Sequence, residues 1–296
     1  MAVESLKTLR RRVRTVRNIK QITRAMEMVS AAKLRRAQST LLAARPYARK
    51  LQELLAHVAA SSATGANPLF QERAGKRRVL VIFTSDRGLA GSFNVNLARE
   101  AEDLMRSDPE ARWRLVCIGR RGRDHFAHRG HDIIDSIIGL GGQANSDEAT
   151  RLADRLRQMF LAGEADRIDL LYARFVSTVV NRPSTVQFLP MTPEALQPAK
   201  KRKEPEEKKH IDYIIEPSPQ AVFDQLLPRY LSSRVYITMA EQATSEHSAR
   251  MISMNNASKN CTELGDQLTL KLNKARQGAI TKELLDIVGG AEALQK

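Results

Sequence analysis

Three groups of residues carry side chains of the kind that catalysis or ligand binding uses. Thr84-Ser-Asp-Arg-Gly-Leu-Ala-Gly-Ser-Phe-Asn94 follows an apolar run and precedes a helical pattern. Backbone N–H groups face a bound anion at such a place. The segment fits neither G-x-G-x-x-G nor G-x-x-x-x-G-K-[ST], so it reads as a tight strand-to-helix turn with a packing or contact role. His125, His128 and His131, beside Asp124 and Asp132, sit at spacings of three, but Gly130 interrupts the helix before the last. They read as solvated histidines rather than a metal set. Ser245, Glu246 and His247 have the letters of hydrolase chemistry, yet neighbours on a helix point in different directions and cannot form a relay. Glu246 and Arg250, at i and i+4, read as an exposed helix ion pair worth about 0.3–0.5 kcal/mol. On a helix surrounded by other chains they would be contact points. No catalytic, cofactor-binding or metal-binding set is complete, so no cofactor is expected.

The elements that carry these residues follow from how the chain is partitioned. It has 296 residues and a net charge of +15. Residues 1–50 hold 14 basic and 2 acidic residues, so +12 of that charge lies there. All 11 prolines fall between Pro46 and Pro228, and the first glycine is Gly65. Proline costs about 3 kcal/mol and glycine about 1 kcal/mol inside a helix, so both ends read as long helices. No aromatic residue precedes Tyr47 or follows Tyr236, so the ends pack with aliphatic and small side chains.

The first helix has an apolar stripe at Leu6, Leu9, Val13, Val16, Ile19, Ile22, Met26 and Val29, a heptad seam with a stammer. The last helix steps by alternating threes and fours through Ile237, Ala240, Thr244, His247, Met251, Met254, Ser258, Cys261, Gly265, Leu268, Leu272, Ala275 and Ala279. A helix over 229–288 would be about 90 Å long. A compact chain of this size is only about 50 Å across, so the helix is expected to protrude, paired with the first one and sheathed by other chains.

The middle reads as α/β. Apolar runs at 78–84, 113–119, 168–176 and 184–190 read as strands, with helical patterns near 95–106, 120–130 and 147–161, hence a mostly parallel sheet. Lys200–Lys209 reads as a solvated charged loop. Two cysteines are too few for a disulfide framework, and no apolar stretch is long enough to span a membrane. The basic first helix leaves two partners open, nucleic acid or an acidic protein sleeve. The lack of interleaved aromatics and the continuous apolar seam favour the sleeve.

Ile19-Lys-Gln-Ile-Thr-Arg-Ala-Met-Glu-Met-Val-Ser-Ala-Ala-Lys33 resembles the opening helix of the F-type ATP synthase γ subunits. Ile280-Thr-Lys-Glu-Leu-Leu-Asp-Ile-Val-Gly-Gly-Ala291 is similar to that family's C-terminal signature, and Ser85–Asn94 to its central turn. Glu216-Pro-Ser-Pro, Tyr230–Tyr236 and Ser245-Glu-His-Ser-Ala-Arg-Met251 match in order. The resemblance covers nearly the whole chain. It implies an antiparallel coiled coil of both termini with a Rossmann-like α/β central domain. The layout would be a coil helix over 1–60, an α/β domain over 76–198, a charged linker over 199–215, and a second coil helix over 216–296 that pairs with the first.

It further implies a rotor shaft inside a ring of three α and three β subunits, with its foot on the ε subunit and the membrane c-ring. ATP chemistry would take place on β. Carried over by position, Met26, Glu246, Arg250, Gln277, Ile280 and Thr281 would meet the α/β ring. Tyr213 and Glu216 would meet ε and the c-ring. Nucleic acid is not an expected partner. Ala90 replaces a common cysteine of the family and Ser92 a common glycine. The redox insertion of chloroplast relatives is absent, and no organelle presequence is visible. The expected setting is the cytoplasmic face of a bacterial plasma membrane, held there peripherally.

Overall fold

A computed structural model of the protein describes residues 5–61, 67–192, 196, 215–216 and 218–294. Two compact units emerge, Ala31–Ala249 and the pair of segments Met1–Ser30 with Arg250–Lys296. Their boundary falls inside both long helices, α1 (Leu6–Ser61) and α5 (Pro219–Leu294).

The first unit is built on a five-stranded sheet of order β3-β2-β1-β4-β5. The strands are β1 (Arg77–Phe83), β2 (Arg112–Ile118), β3 (Ile133–Ile137), β4 (Arg167–Phe175) and β5 (Asn181–Leu189). Four run parallel and β5 is antiparallel to β4. Side chains alternate across β1, so Val79, Val81 and Phe83 enter one core while Leu80 and Ile82 enter the other. Helices α2 (Phe93–Ser107) and α3 (Arg120–Ala127) cover the second face through Phe93, Leu97, Ala101 and Phe126. The first face takes α4 (Ser146–Leu161) together with Leu51, Leu55 and Val58 of α1 and Phe223, Leu227, Leu231 and Val235 of α5. Helix α4 starts cleanly because the Asn145 side chain accepts from the N–H groups of Asp147 and Glu148.

Two expectations change here. β3, unannounced by its half-polar sequence, is an edge strand in which every residue keeps some exposure. α3 ends at Ala127 rather than near 130. Pro46 and Pro228 each lie inside a helix. The helical run beyond Pro46 buries Leu51, Leu55 and Val58, and burial of about 1.5–3 kcal/mol per side chain outweighs the missing N–H.

The second unit is an antiparallel pair. Val16 approaches Gly265, and Glu27 accepts from Asn255 Nδ2 at 2.7 Å, so partner numbers fall on one helix as they rise on the other. Leu9, Val16 and Leu268 form its core, with Val13, Cys261, Leu272 and Ala275 packed around them. The α5 seam runs as the sequence indicates. The α1 seam does not follow the apolar stripe. From Val16 it continues through Lys20, Thr23, Glu27 and Ser30, in unbroken steps of four and three. Ile19, Ile22 and Val29 are left 44%, 59% and 57% exposed. A regular 3–4 alternation keeps one supercoil twist along the pair, whereas the apolar stripe demands local overwinding. The opposing α5 stretch offers Asn255 and Ser258 beside the buried Met254, and Asn255 gives the Glu27 carboxylate a partner.

Candidate functional site

In sheets of this topology ligands bind where the strand order reverses, at the C-terminal ends of the strands. Here that point lies between β1 and β4, whose direct pairing ends at Ile82 opposite Leu171. Helix α5 fills it. Gln242 Nε2 donates to Phe83 O at 2.7 Å, and its Oε1 accepts from Ala173 N at 2.8 Å. Ser245 Oγ donates to Ala173 O at 2.8 Å. The space that remains, bordered by Thr84, Asp86, Gly119, Gly142 and Gln242, is a cavity of ≈ 30 Å³. Small-molecule sites occupy roughly 300–1,000 Å³.

The glycine-containing turn sends its own carboxylate, Asp86, into a nest of N–H groups on two other segments. Asp86 accepts from the backbone N–H groups of Arg120 (3.1 Å), Gly139 (3.1 Å) and Gly141 (3.0 Å). Burial alone pushes this carboxyl up, but those three donors outweigh burial and hold it below the usual range. Asp86→Asn keeps the shape and removes the charge. It is expected to cost about 1–2 kcal/mol at pH 7, read from the denaturant midpoint. Because the folded pKa is depressed, the wild-type advantage is complete above about pH 4 and disappears as the pH falls through the folded value.

Thr84 accepts from Gly122 N and donates to Ile118 O, each at 2.9 Å, which ties the turn to the end of β2. Ser85 and Asn94 close it from the other side. The segment is thus a braced strand-to-helix turn.

The remaining candidates take these positions. His125 Nε2 donates to Glu102 at 2.9 Å and His128 Nδ1 to Asp124 O, so the two histidines diverge. Among the described residues no histidine, cysteine and carboxylate group converges as a metal set. Ser245 and His247 bond different backbone carbonyls, Ala173 O and Gly142 O, and form no relay. Glu246 and Arg250 are 4% and 8% exposed, which corrects the reading of a solvated ion pair. The α/β unit covers Glu246 beside Gly142. Met26 is half-buried, while Gln277, Ile280 and Thr281 are exposed on α5. Glu216 is exposed just before α5, and Tyr213 lies outside the described residues. Gln242 escaped the sequence reading altogether, since its partners are distant in the chain.

A doubly wound sheet whose switch point is filled by its own helix, in a chain whose two ends form an antiparallel helix pair, defines the class of α/β protein. The family model described as ATP synthase matches residues 5–294. The chain is 41% identical to the ATP synthase gamma chain of Pelotomaculum thermopropionicum, over 98% of this chain and 99% of that one. It is 43% identical to those of Desulforamulus reducens and Moorella thermoacetica, with the same coverage. It therefore belongs to the ATP synthase gamma-chain family. In fold it is similar to a chain of the Euglena gracilis mitochondrial ATP synthase OSCP/F1/c-ring structure, with a TM-score of 0.64 and 19% identity, covering 98% of this chain and 94% of that one. A chain of the Tetrahymena thermophila mitochondrial central stalk and c-ring gives a TM-score of 0.61 and 24% identity, covering 80% and 99%.

Proposed function

We propose that this chain is the central rotor shaft of an F-type ATP synthase. It couples ion-driven rotation of a membrane c-ring to ATP synthesis or hydrolysis on the β subunits of an α3β3 ring. The observation that carries this is gamma-chain identity along 98% of the sequence. The coil supports it, because its outward face keeps Ile19, Ile22 and Val29 exposed while a polar seam is buried. Apolar side chains left in solvent beside a polar interior mark a surface that another chain covers.

Met26, Gln277, Ile280 and Thr281 are proposed to face the α/β ring. The tip residues Ile280, Leu284, Leu285, Ile287 and Val288, all exposed, are proposed to turn in an apolar bearing of that ring. Glu246 and Arg250, covered as they are, enter the proposal as residues that set the helix surface from beneath. Tyr213 and Glu216 are assigned to ε and the c-ring. The chain is placed peripherally, on the cytoplasmic face of a bacterial plasma membrane, and no helix among the described residues is long and apolar enough to cross one.

The isolated chain is expected to bind no ATP in calorimetry, because the switch point is filled. Added to α3β3, it is expected to restore sustained hydrolysis. Stoichiometric nucleotide binding by the chain alone would favour a dinucleotide enzyme instead.

A further inference from the structure

We propose that the switch-point crevice serves as a torsional socket that fixes helix α5 to the α/β unit, with Gln242 as its central positioning residue. The inference rests on the rotor reading above.

Four side chains between Gln242 and Ser248 bond to the surrounding backbone: Gln242 to the ends of β1 and β4, Ser245 also to Ala173 of β4, His247 to the loop at Gly142, and Ser248 to Thr178 in the β4–β5 turn. The Gln242 amide acts as an extra peptide group. It donates to one strand and accepts from the next, one rung beyond the last direct pair. At 100° per residue, His247 points about 140° and Ser248 about 240° around the helix from Gln242. The bonds therefore oppose turning of the helix in either sense. Apolar burial is non-directional and tolerates sliding or rotation. Hydrogen bonds have preferred angles and hold an azimuth.

The socket is itself braced. Gly142 has φ +73°, and a Cβ there would lie 2.8 Å from the His247 ring, so only glycine lets the loop come this close. Asp86 holds the same loop through Gly139 and Gly141. Since α5 also supplies the coil, a helix free to twist in this socket would dissipate torque between the foot and the ring.

The test uses the full complex in vesicles, with Gln242→Met, Ser245→Ala and Ser245→Thr. Met matches the volume of Gln without its two bonds, and Thr keeps the hydroxyl that Ala loses. Gln242→Met and Ser245→Ala are expected to lower the ions pumped per ATP against an imposed gradient. Hydrolysis by detached F1 should continue, and Ser245→Thr should behave as wild type. Amides of 240–248 should exchange roughly tenfold faster in the two loosened variants. Faster exchange with an unchanged pumping ratio would reduce the socket to a stability device and overturn the proposal, as would unchanged exchange. If Gln242→Met does not assemble, Ser245→Ala carries the same decision. A wild-type complex that hydrolyses ATP without pumping would count against the rotor reading instead.

Discussion

With a cysteine introduced by Gln277→Cys and joined by added oxidant in a disulfide to a second cysteine introduced on a β subunit of the assembled ring, multi-turnover ATP hydrolysis falls to background and returns on reduction. Gln277 is exposed on α5, so the new thiol can reach a neighbour without disturbing the pair. A shaft that must turn cannot do so while covalently tied to its stator. Nucleotide binding to β should persist, because no catalytic residue has changed. The native thiols interfere little. Cys117 is buried, and burial pushes its pKa up to about 12, which leaves almost no thiolate. Cys261 is half-buried in the seam and is best replaced by serine in the same background. Full turnover with the cross-link intact would mean that this segment does not rotate during coupling.

The largest stability effect is expected at Gly119, where β2 ends. Its φ is +96°, and a Cβ would lie 2.5 Å from Thr84 O, a backbone atom that cannot swing away. Gly119→Ala therefore forces the β1 and β2 ends apart, next to the Asp86 nest. A loss of about 2–4 kcal/mol follows from the strain and the clash together, lowering the melting temperature by roughly 5–15 °C. Gly130→Ala is the internal control. Its φ is +74°, but a Cβ there meets nothing within 4 Å, so only the backbone strain of about 1 kcal/mol applies. Equal losses at the two positions would show that the contact with Thr84 is unimportant. A midpoint shift at constant denaturant slope is the measurement that compares them.

Much of the fold is legible from local pattern. Gly and Pro placement marks the helical ends, apolar β-branched runs mark four of the five strands, and the spacing from Ile237 to Ala279 marks the α5 seam. The motifs around Met26, Ser85–Asn94 and Ile280 carry the family resemblance. Each of these signals is written in neighbouring residues, so backbone periodicity and side-chain type suffice to read it.

What only the tertiary structure decided concerns partners far apart in sequence. Two stripes on α1 have plausible coil spacing, and the opposing helix selects the one containing Thr23 and Ser30, leaving Ile19 and Ile22 outside. Glu246 looks like a surface charge until the α/β unit covers it. Gln242 stands 159 residues from Phe83 and 69 from Ala173, and no local pattern announces either bond. Helices and strands are short-range consequences of the chain, whereas burial and directed hydrogen bonding depend on which distant surfaces meet. The sequence by itself therefore determined the two helical ends, the α/β middle and the family, and packing determined which faces remain outside and what closes the switch point.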